Sequence, residues 1–398
     1  MKIVHIITRL IVGGAQENTL ITCREQARRG HKVYLITGPS TGPEGALCER
    51  FNDMPFEVIV VNDMIRPIKP LSDLRAYRRI KKILLEIKPD VVHTHSAKAG
   101  IIGRIAAWNI KGSYSPASAD YQVKKPLPMV VHTIHGLAFH EYQSPWLKNF
   151  YITIEKYTAA KCDAIIGVAD TMRDKALAAG IGRADMYTTA YSAIDIEQFT
   201  TAPTFQQIKD FRRKYGISDQ SKVIVCVARL AELKGHEYII ESARKLTGRY
   251  PECMWLFVGN GELTDKIKHQ IHLASLAYKI RLTGLLRPEQ IPLAIHSSDI
   301  LVHCSLREGL ARVLPQAMLC GKPVVSFDID GAKEVVNENT GRLIAPEDVE
   351  GLTDACEELL DNPSLCERLG ENGRELVKEK FSPKAMVDTI QSVYESYL

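Results

Sequence analysis

The stretch LREGLARVLPQAM, residues 306 to 318, sets one carboxylate, Glu308, ahead of Leu310, Ala311 and a helix start predicted near Arg312. Backbone amides at a helix start lack intrahelical partners and attract anions. Pro315 suits that start, because a first-turn residue loses no hydrogen bond by lacking an N–H. Glu308 would reach over a ligand held there. Gln316, eight residues further on, is a neutral amide on the same helix.

Upstream, CVARLAELKGHE carries Arg229 and Lys234 beyond a predicted strand, five residues apart. Such cations can converge on a diphosphate, Arg as a planar fork and Lys as a point charge; taken alone, the pair reads equally as two solvated surface charges. FVGNGEL sets Gly259 and Gly261 after another strand, and RLIVGGAQENT sets Gly13 and Gly14 before a helix. Glycines there either let backbone approach a ligand or simply turn the chain. Histidines cluster as well. His93 and His95 alternate on one strand and share a face, while His132 and His135 end another, with His140 close behind. Zinc chemistry would ask for H-E-x-x-H or a compact cysteine set, and the chain has neither. The expectation is core or cleft histidines bonded to backbone, with no metal and no cofactor.

These residues need strands to carry them. Short apolar β-branched runs at 2–7, 32–37, 56–61, 90–95, 129–135 and 164–169 read as strands buried on both faces, hence a parallel sheet covered by helices. AQENTLITCREQARRG and DLRAYRRIKKILLEIKPD have helical periodicity, with Gly30 and Pro89 as stop signals. After a polar stretch at 200–220 the pattern restarts at 222–228, 253–259, 279–284, 299–304, 322–327 and 341–346, with YSAIDIEQF (191–199) at the crossover. Residues 353–380 read as helical, and 384–397 as a final helix after a Pro-marked break. The fold class is therefore α/β: two Rossmann-like domains whose parallel sheets face each other across a cleft. The expected boundaries are 1–198 plus a C-terminal helix, 382–398, returning to it, and 199–381 for the second domain.

The 398 residues suit two domains, and 45% hydrophobic with 25% charged residues is the balance of a globular chain. A formal charge of +4 falls short of a nucleic-acid-binding balance and leaves electrostatic argument to local clusters. Nine cysteines without a C-x-x-C pair argue for free thiols in a reducing compartment. With no signal-peptide pattern and no run of 18 apolar residues, the expected location is the cytosol.

In order and spacing, ARLAELKG, VGNGEL, SLREGLARVLPQAMLCGKPVVSFDIDGAKEVV and TGRLIAPED resemble the carboxyl domain of the family-4 glycosyltransferases, retaining enzymes of GT-B fold. GGAQ, DVVHTHSAKAG and VVHTIHG extend the likeness to the N-terminal domain, so that it covers essentially the whole chain. The resemblance implies that Arg229 and Lys234 neutralise the diphosphate of a nucleotide sugar, helped by the amides of Leu310 and Ala311, with Gly259, Gly261 and Gly309 also on the donor side. It implies that Glu308, the first acid of the family's E-x7-E motif, faces the donor sugar. Gln316 takes the place of the second acid, which holds the nucleotide ribose, and here the chain departs from the pattern. His135 matches the histidine that reaches the reacting sugar; Gly13, Gly14 and His95 fall on the acceptor side.

A glycan acceptor, lipid-linked, in surface polysaccharide assembly is the expected partner. Arg75, Arg78, Arg79, Lys81 and Lys82 offer a footprint for an anionic membrane at its inner face, while Leu74, Tyr77, Ile80, Leu84 and Ile87 are expected to face the domain's own sheet. YQSPWLKNFY (142–151) reads mainly as buried core. Two rivals share this architecture: a nucleotide-sugar epimerase acting without acceptor, and a non-catalytic nucleotide-sugar-binding protein. A dehydrogenase is disfavoured, since no acid follows a G-x-G-x-x-G fingerprint at about 20 positions.

Overall fold

A computed structural model of the chain describes residues 1–11, 13–40, 54–114 and 126–397; Cys48 lies outside the described residues. The chain forms two compact units, Met1–Ala193 with Pro383–Leu398, and Ile194–Ser382.

The first unit is built on seven strands, β1 (Lys2–Ile7), β2 (Lys32–Thr37), β3 (Glu57–Val60), β4 (Val91–His95), β5 (Met129–Ile134), β6 (Ala164–Gly167) and β7 (Tyr187–Thr189). Their order is β3-β2-β1-β4-β5-β6-β7 and every pairing is parallel. The second holds β8 (Lys222–Val227), β9 (Cys253–Val258), β10 (Ile280–Gly284), β11 (Ile300–His303), β12 (Val324–Phe327) and β13 (Gly341–Ile344), ordered β10-β9-β8-β11-β12-β13 and likewise parallel. In each sheet the winding reverses once, between β1 and β4 and between β8 and β11. Loops leaving adjacent strands diverge at such a reversal and open a crevice at the carboxyl ends.

The near-continuous burial of β1, β4, β5 and β9 is what a sheet covered on both faces requires. β7 escapes sequence detection because it has three residues, all half-buried, at a sheet edge. The helix Pro383–Tyr397 belongs to the first unit: Met386, Val387, Ile390, Tyr394 and Tyr397 pack in one core with Ile3, Val91, Met129, Val131 and Ile166. Each such large apolar side chain contributes roughly 1.5–3 kcal/mol. In the second unit Trp255, Phe257 and Phe327 form a core with Ile239, Leu246, Leu352 and Leu359.

Two expectations change and a third, the helical reading of 353–380, gains a break. Residues 353–380 are not one helix but the end of Val349–Asp361 and all of Pro363–Lys380, because Asn362 is non-helical and Pro363 restarts the helix at a position that needs no N–H. Helix α2 (Pro70–Ile87), following α1 (Gly14–Arg28), buries Ala76, Ile80, Ile83 and Leu84, and Leu74 is 44% exposed. The 142–151 segment, which opens the helix Pro145–Ala159, is not core: Tyr142, Trp146 and Phe150 are 52%, 71% and 47% exposed.

Candidate active site

In the second unit the site grows from the reversal between β8 and β11. The loop leaving β8 is fastened to the loop leaving β9 by Ala228 N to Val258 O, 3.1 Å, and Leu230 N to Asn260 O, 3.1 Å. A Cβ at Gly259 would sit 2.0 Å from the Ala228 carbonyl oxygen, and one at Gly261 2.2 Å from that of Leu230. The close approach these glycines permit is therefore to the protein's own chain.

Leu233 (φ 63°) and Gly235 (φ 67°) then turn the chain so that it lies on the loop after β11. There Leu233 O accepts from Leu306 N at 2.8 Å and from Ser305 Oγ at 3.1 Å, and a Cβ at Gly235 would meet Cys304 O at 1.9 Å. This contact delivers Lys234 to Glu308, the two forming an ion pair through Nζ and Oε1. Ser305 Oγ also lies 3.1 Å from the same oxygen, its single proton shared between that oxygen and Leu233 O, and His303 Nε2 stands 3.5 Å from Glu308 Oε1. From the other side Asp330 Oδ2 accepts from Glu308 N at 2.7 Å, while Gly331 N donates to Gly309 O at 3.2 Å. Burial alone would raise the Glu308 carboxyl, but Lys234 and His303 outweigh it and hold the group well below the usual carboxylate range. Glu308 is thus a fixed anion, too weak a base to take a proton and always deprotonated at neutral pH.

Leu310 and Ala311 are buried immediately before the helix Val313–Leu319, whose third residue is Pro315 and whose fourth, half-buried, is Gln316. The expected start near Arg312 is thus met within one residue. Arg229 is exposed on the Lys234 loop.

In the first unit the corresponding reversal lies between β1 and β4. Thr8 Oγ1 and Ser96 Oγ, 2.8 Å apart, join the loops that leave the two strands, and Ala99 N donates to Thr8 Oγ1 at 3.2 Å. Gly13 and Gly14 stand at the start of α1; Gly13 has φ 176°, ordinary extended backbone. Ser96, Leu233 and Asp330 all have positive φ, so both sites hold non-glycine residues in a conformation that costs on the order of 1–3 kcal/mol and concentrates at functional loops.

His135, half-buried after β5, lines a depression with Ser96, His132, Gly136 and Glu155. His95 does not line it: 1% exposed, it stands behind His135, with His95 Nδ1 3.0 Å from His135 Nε2. The histidines are not bonded chiefly to backbone, as expected from sequence, but to side chains. His5 Nδ1 meets His95 Nε2 at 2.9 Å, His5 Nε2 meets Gln26 Oε1 at 2.7 Å, and His93 lies between Tyr394 Oη (2.5 Å) and Thr133 Oγ1 (2.6 Å). Ring nitrogens of His5, His93 and His95 fall within 4.8 Å of one another, a spacing a metal ion could use. All six nitrogens, however, already have partners. Burial lowers His93, His95 and His132 well below the ordinary histidine range and His5 to about 4, so the cluster is neutral.

Sequence reasoning missed His5, Gln26, Tyr394, His303 and Asp330. Only His5 and His303, polar residues inside otherwise apolar strands, offered a hint.

Comparison with known proteins places this geometry. Residues 207–376 match the model for glycosyl transferases group 1, and residues 13–190 that of a glycosyl transferase 4-like domain. The chain is 31% identical to an alpha-D-kanosaminyltransferase of Streptomyces kanamyceticus over 98% of both chains. It is 28% identical to the UDP-Gal:alpha-D-GlcNAc-diphosphoundecaprenol alpha-1,3-galactosyltransferase of Escherichia coli, over 99% of this chain and 96% of that one. Among solved structures, HepE of Anabaena in complex with UDP-glucose superposes with a TM-score of 0.81 at 21% identity, covering all of both chains. Among the described residues no helix is long and apolar enough to cross a membrane. With two parallel sheets wound alike, a fixed anion paired to lysine at the reversal of the second, and this likeness along its whole length, the chain belongs to the family-4-like, group 1 glycosyltransferases of GT-B fold.

Proposed function

We propose that this glycosyltransferase, which takes its sugar from a nucleotide sugar, delivers it with retention of configuration to a lipid-linked glycan in surface polysaccharide assembly. The observation that carries the donor site is the Lys234–Glu308 pair at the β8/β11 reversal. Lys234 and Arg229 bind the donor diphosphate and stabilise the leaving nucleoside diphosphate, with the amides of Leu310 and Ala311 beside Gly309 completing the cradle. As the glycosidic C–O bond loosens, positive charge builds on the sugar, and the Glu308 carboxylate faces it. The acceptor hydroxyl attacks from the leaving-group side, its proton passing to an oxygen of the departing diphosphate. A double displacement would need a second carboxyl about 5 Å away; the same-face route does not, which suits the neutral Gln316 as a ribose-holding residue. In this reading, which the family likeness supports, His135 faces the reacting sugar and Gly13 and Gly14 the acceptor, with His95 supporting His135.

The lipid-linked acceptor draws on two supports: the diphosphoundecaprenol acceptor in the name of the Escherichia coli relative, and the outer face of α2. On that face Leu71, Leu74 and Leu85 are exposed among Arg75, Arg78, Arg79 and Lys82, an apolar and cationic mixture suited to the head-group layer of an anionic membrane. Arg75 is partly engaged with Asp63, at 2.9 Å, and Lys81 is half-buried, so Arg78, Arg79 and Lys82 carry most of this role. UDP-sugars are the donors to screen first, by thermal shift and then by transfer to a lipid-diphosphate glycan. Glu308→Ala and Lys234→Ala should abolish transfer with the fold intact; near-normal turnover in both would overturn the site.

A further inference from the structure

The buried histidines form one continuous chain of hydrogen bonds. It runs from His135, through His95 and His5, to Gln26, and the Gln26 amide nitrogen reaches Tyr394 Oη at 3.4 Å; Tyr394 continues to His93 and Thr133. These residues come from β5 and the turn after it, β4, β1, α1 and the C-terminal helix, and His5, Gln26, His93, His95 and Tyr394 are at most 1% exposed.

A neutral imidazole has one N–H and one acceptor nitrogen, so each ring in such a chain dictates the tautomer of the next. With the Gln26 carbonyl oxygen against His5, His5 must carry its proton on Nε2 and accept on Nδ1. His95 then donates from Nε2 and accepts on Nδ1, and His135 donates from Nε2. On the far side the Gln26 amide donates to Tyr394, Tyr394 donates to His93 Nδ1, and His93 Nε2–H donates to Thr133. A single reversed link would leave two donors or two acceptors facing each other in the core, at a cost of about 1–3 kcal/mol. The links therefore share one direction.

We infer that this buried relay, anchored by Gln26 and by Tyr394 of the C-terminal helix, is a positioning device that locks His135 as the Nε2–H tautomer and so sets Nδ1 as its acceptor nitrogen. The inference rests on the proposed role of His135 at the reacting sugar for its catalytic consequence, and on the hydrogen-bond chain alone for the tautomer. Burial of the cluster, which keeps the rings neutral, is consistent with it.

The test is ring-nitrogen NMR on the full chain labelled with 15N-histidine. Wild-type protein should show His5, His95 and His135 all protonated on Nε2. Gln26→Met removes the acceptor that orients His5 and should displace the His135 ring signals, although His5 and His95 stand between the two residues in the chain of hydrogen bonds. Tyr394→Phe keeps the ring in the core and removes the hydroxyl's two hydrogen bonds, to Gln26 and His93, and should displace them too. With a sugar donor, kcat should fall about tenfold in Gln26→Met with little change in donor KM.

Unchanged His135 signals in both folded variants, a mixture of tautomers along the chain, or protonation of all three rings on Nδ1 would overturn the relay. So would stoichiometric zinc binding that collapses the His5, His93 and His95 signals. The site reading fails separately: full transfer by His135→Ala, with His135 signals still displaced in Gln26→Met, refutes the sugar contact and leaves the tautomer lock standing.

Discussion

Replacing Glu308 by Gln tests whether the carboxylate works by charge. The side chains are nearly isosteric, and the amide can still accept from Ser305 Oγ, now 3.1 Å from Oε1. What disappears is the negative charge that Lys234 and His303 hold in place. A unit charge facing a developing unit charge at about 4 Å, with an effective dielectric constant of about 20, is worth roughly 4 kcal/mol. Glu308 keeps 24% of its side-chain exposure, so solvent discounts that figure. A loss of about 3 kcal/mol of transition-state stabilisation, or roughly 10²-fold in kcat, is the expected size.

The donor KM should not rise. Lys234 loses its carboxylate partner and becomes a stronger partner for diphosphate, so donor affinity stays equal or improves. Lys234 and Glu308 keep 21% and 24% of their side-chain exposure, and solvent screening holds the stability lost with the pair to about 1 kcal/mol. That contribution has a pH signature. The folded-state pKa of Glu308 is depressed, so its stabilisation is fully present above the ordinary carboxylate pKa of about 4.3 and is lost as pH falls through the lower folded value. Denaturant unfolding should therefore show a gap between wild type and variant that is constant from neutrality to about pH 5 and closes only in stronger acid. Initial rates over a donor series, with a thermal melt in UDP, make the kinetic measurement. Unchanged kcat with a raised donor KM would refute the reasoning, since it would make Glu308 a ground-state binding residue.

Gln316→Glu should change donor KM and leave kcat at saturating donor nearly unaltered; a large rise in kcat would show that a catalytic acid was missing. Arg104→Met removes the partner of Glu155, 2.8 Å away and 8% exposed, and strands a buried carboxylate. We expect about 3–5 kcal/mol of destabilisation in the first unit, partly recovered by pairing the change with Glu155→Gln, as read by chemical denaturation. Arg78→Glu, Arg79→Glu and Lys82→Glu together should abolish sedimentation with anionic vesicles at low salt while transfer to a water-soluble acceptor analogue is retained; undiminished sedimentation would remove α2 from the membrane contact.

The sequence alone determined the strands and the order of the motifs. Burial on both faces writes a continuous apolar run, and Pro315 and the glycines mark turns by local backbone chemistry, so twelve of the strands were placed within a residue or two of their observed ends. Glu308 and Lys234 were legible as candidate site residues because each stands beyond such a strand. Their ion pair was not legible: it depends on β8 and β11 being sheet neighbours, and the residues are 74 positions apart in the chain. Local periodicity also could not say which side of α2 is buried, because the exposed Leu71, Leu74 and Leu85 fall at helical spacing just as the buried Ala76, Ile80, Ile83 and Leu84 do. The tertiary structure alone joined His5, Gln26, His95, His135 and Tyr394, drawn from β1, α1, β4, the turn after β5 and the C-terminal helix. A hydrogen bond needs atoms within about 3 Å, and nothing in the residue types along a chain records which distant ones will meet when apolar faces pack.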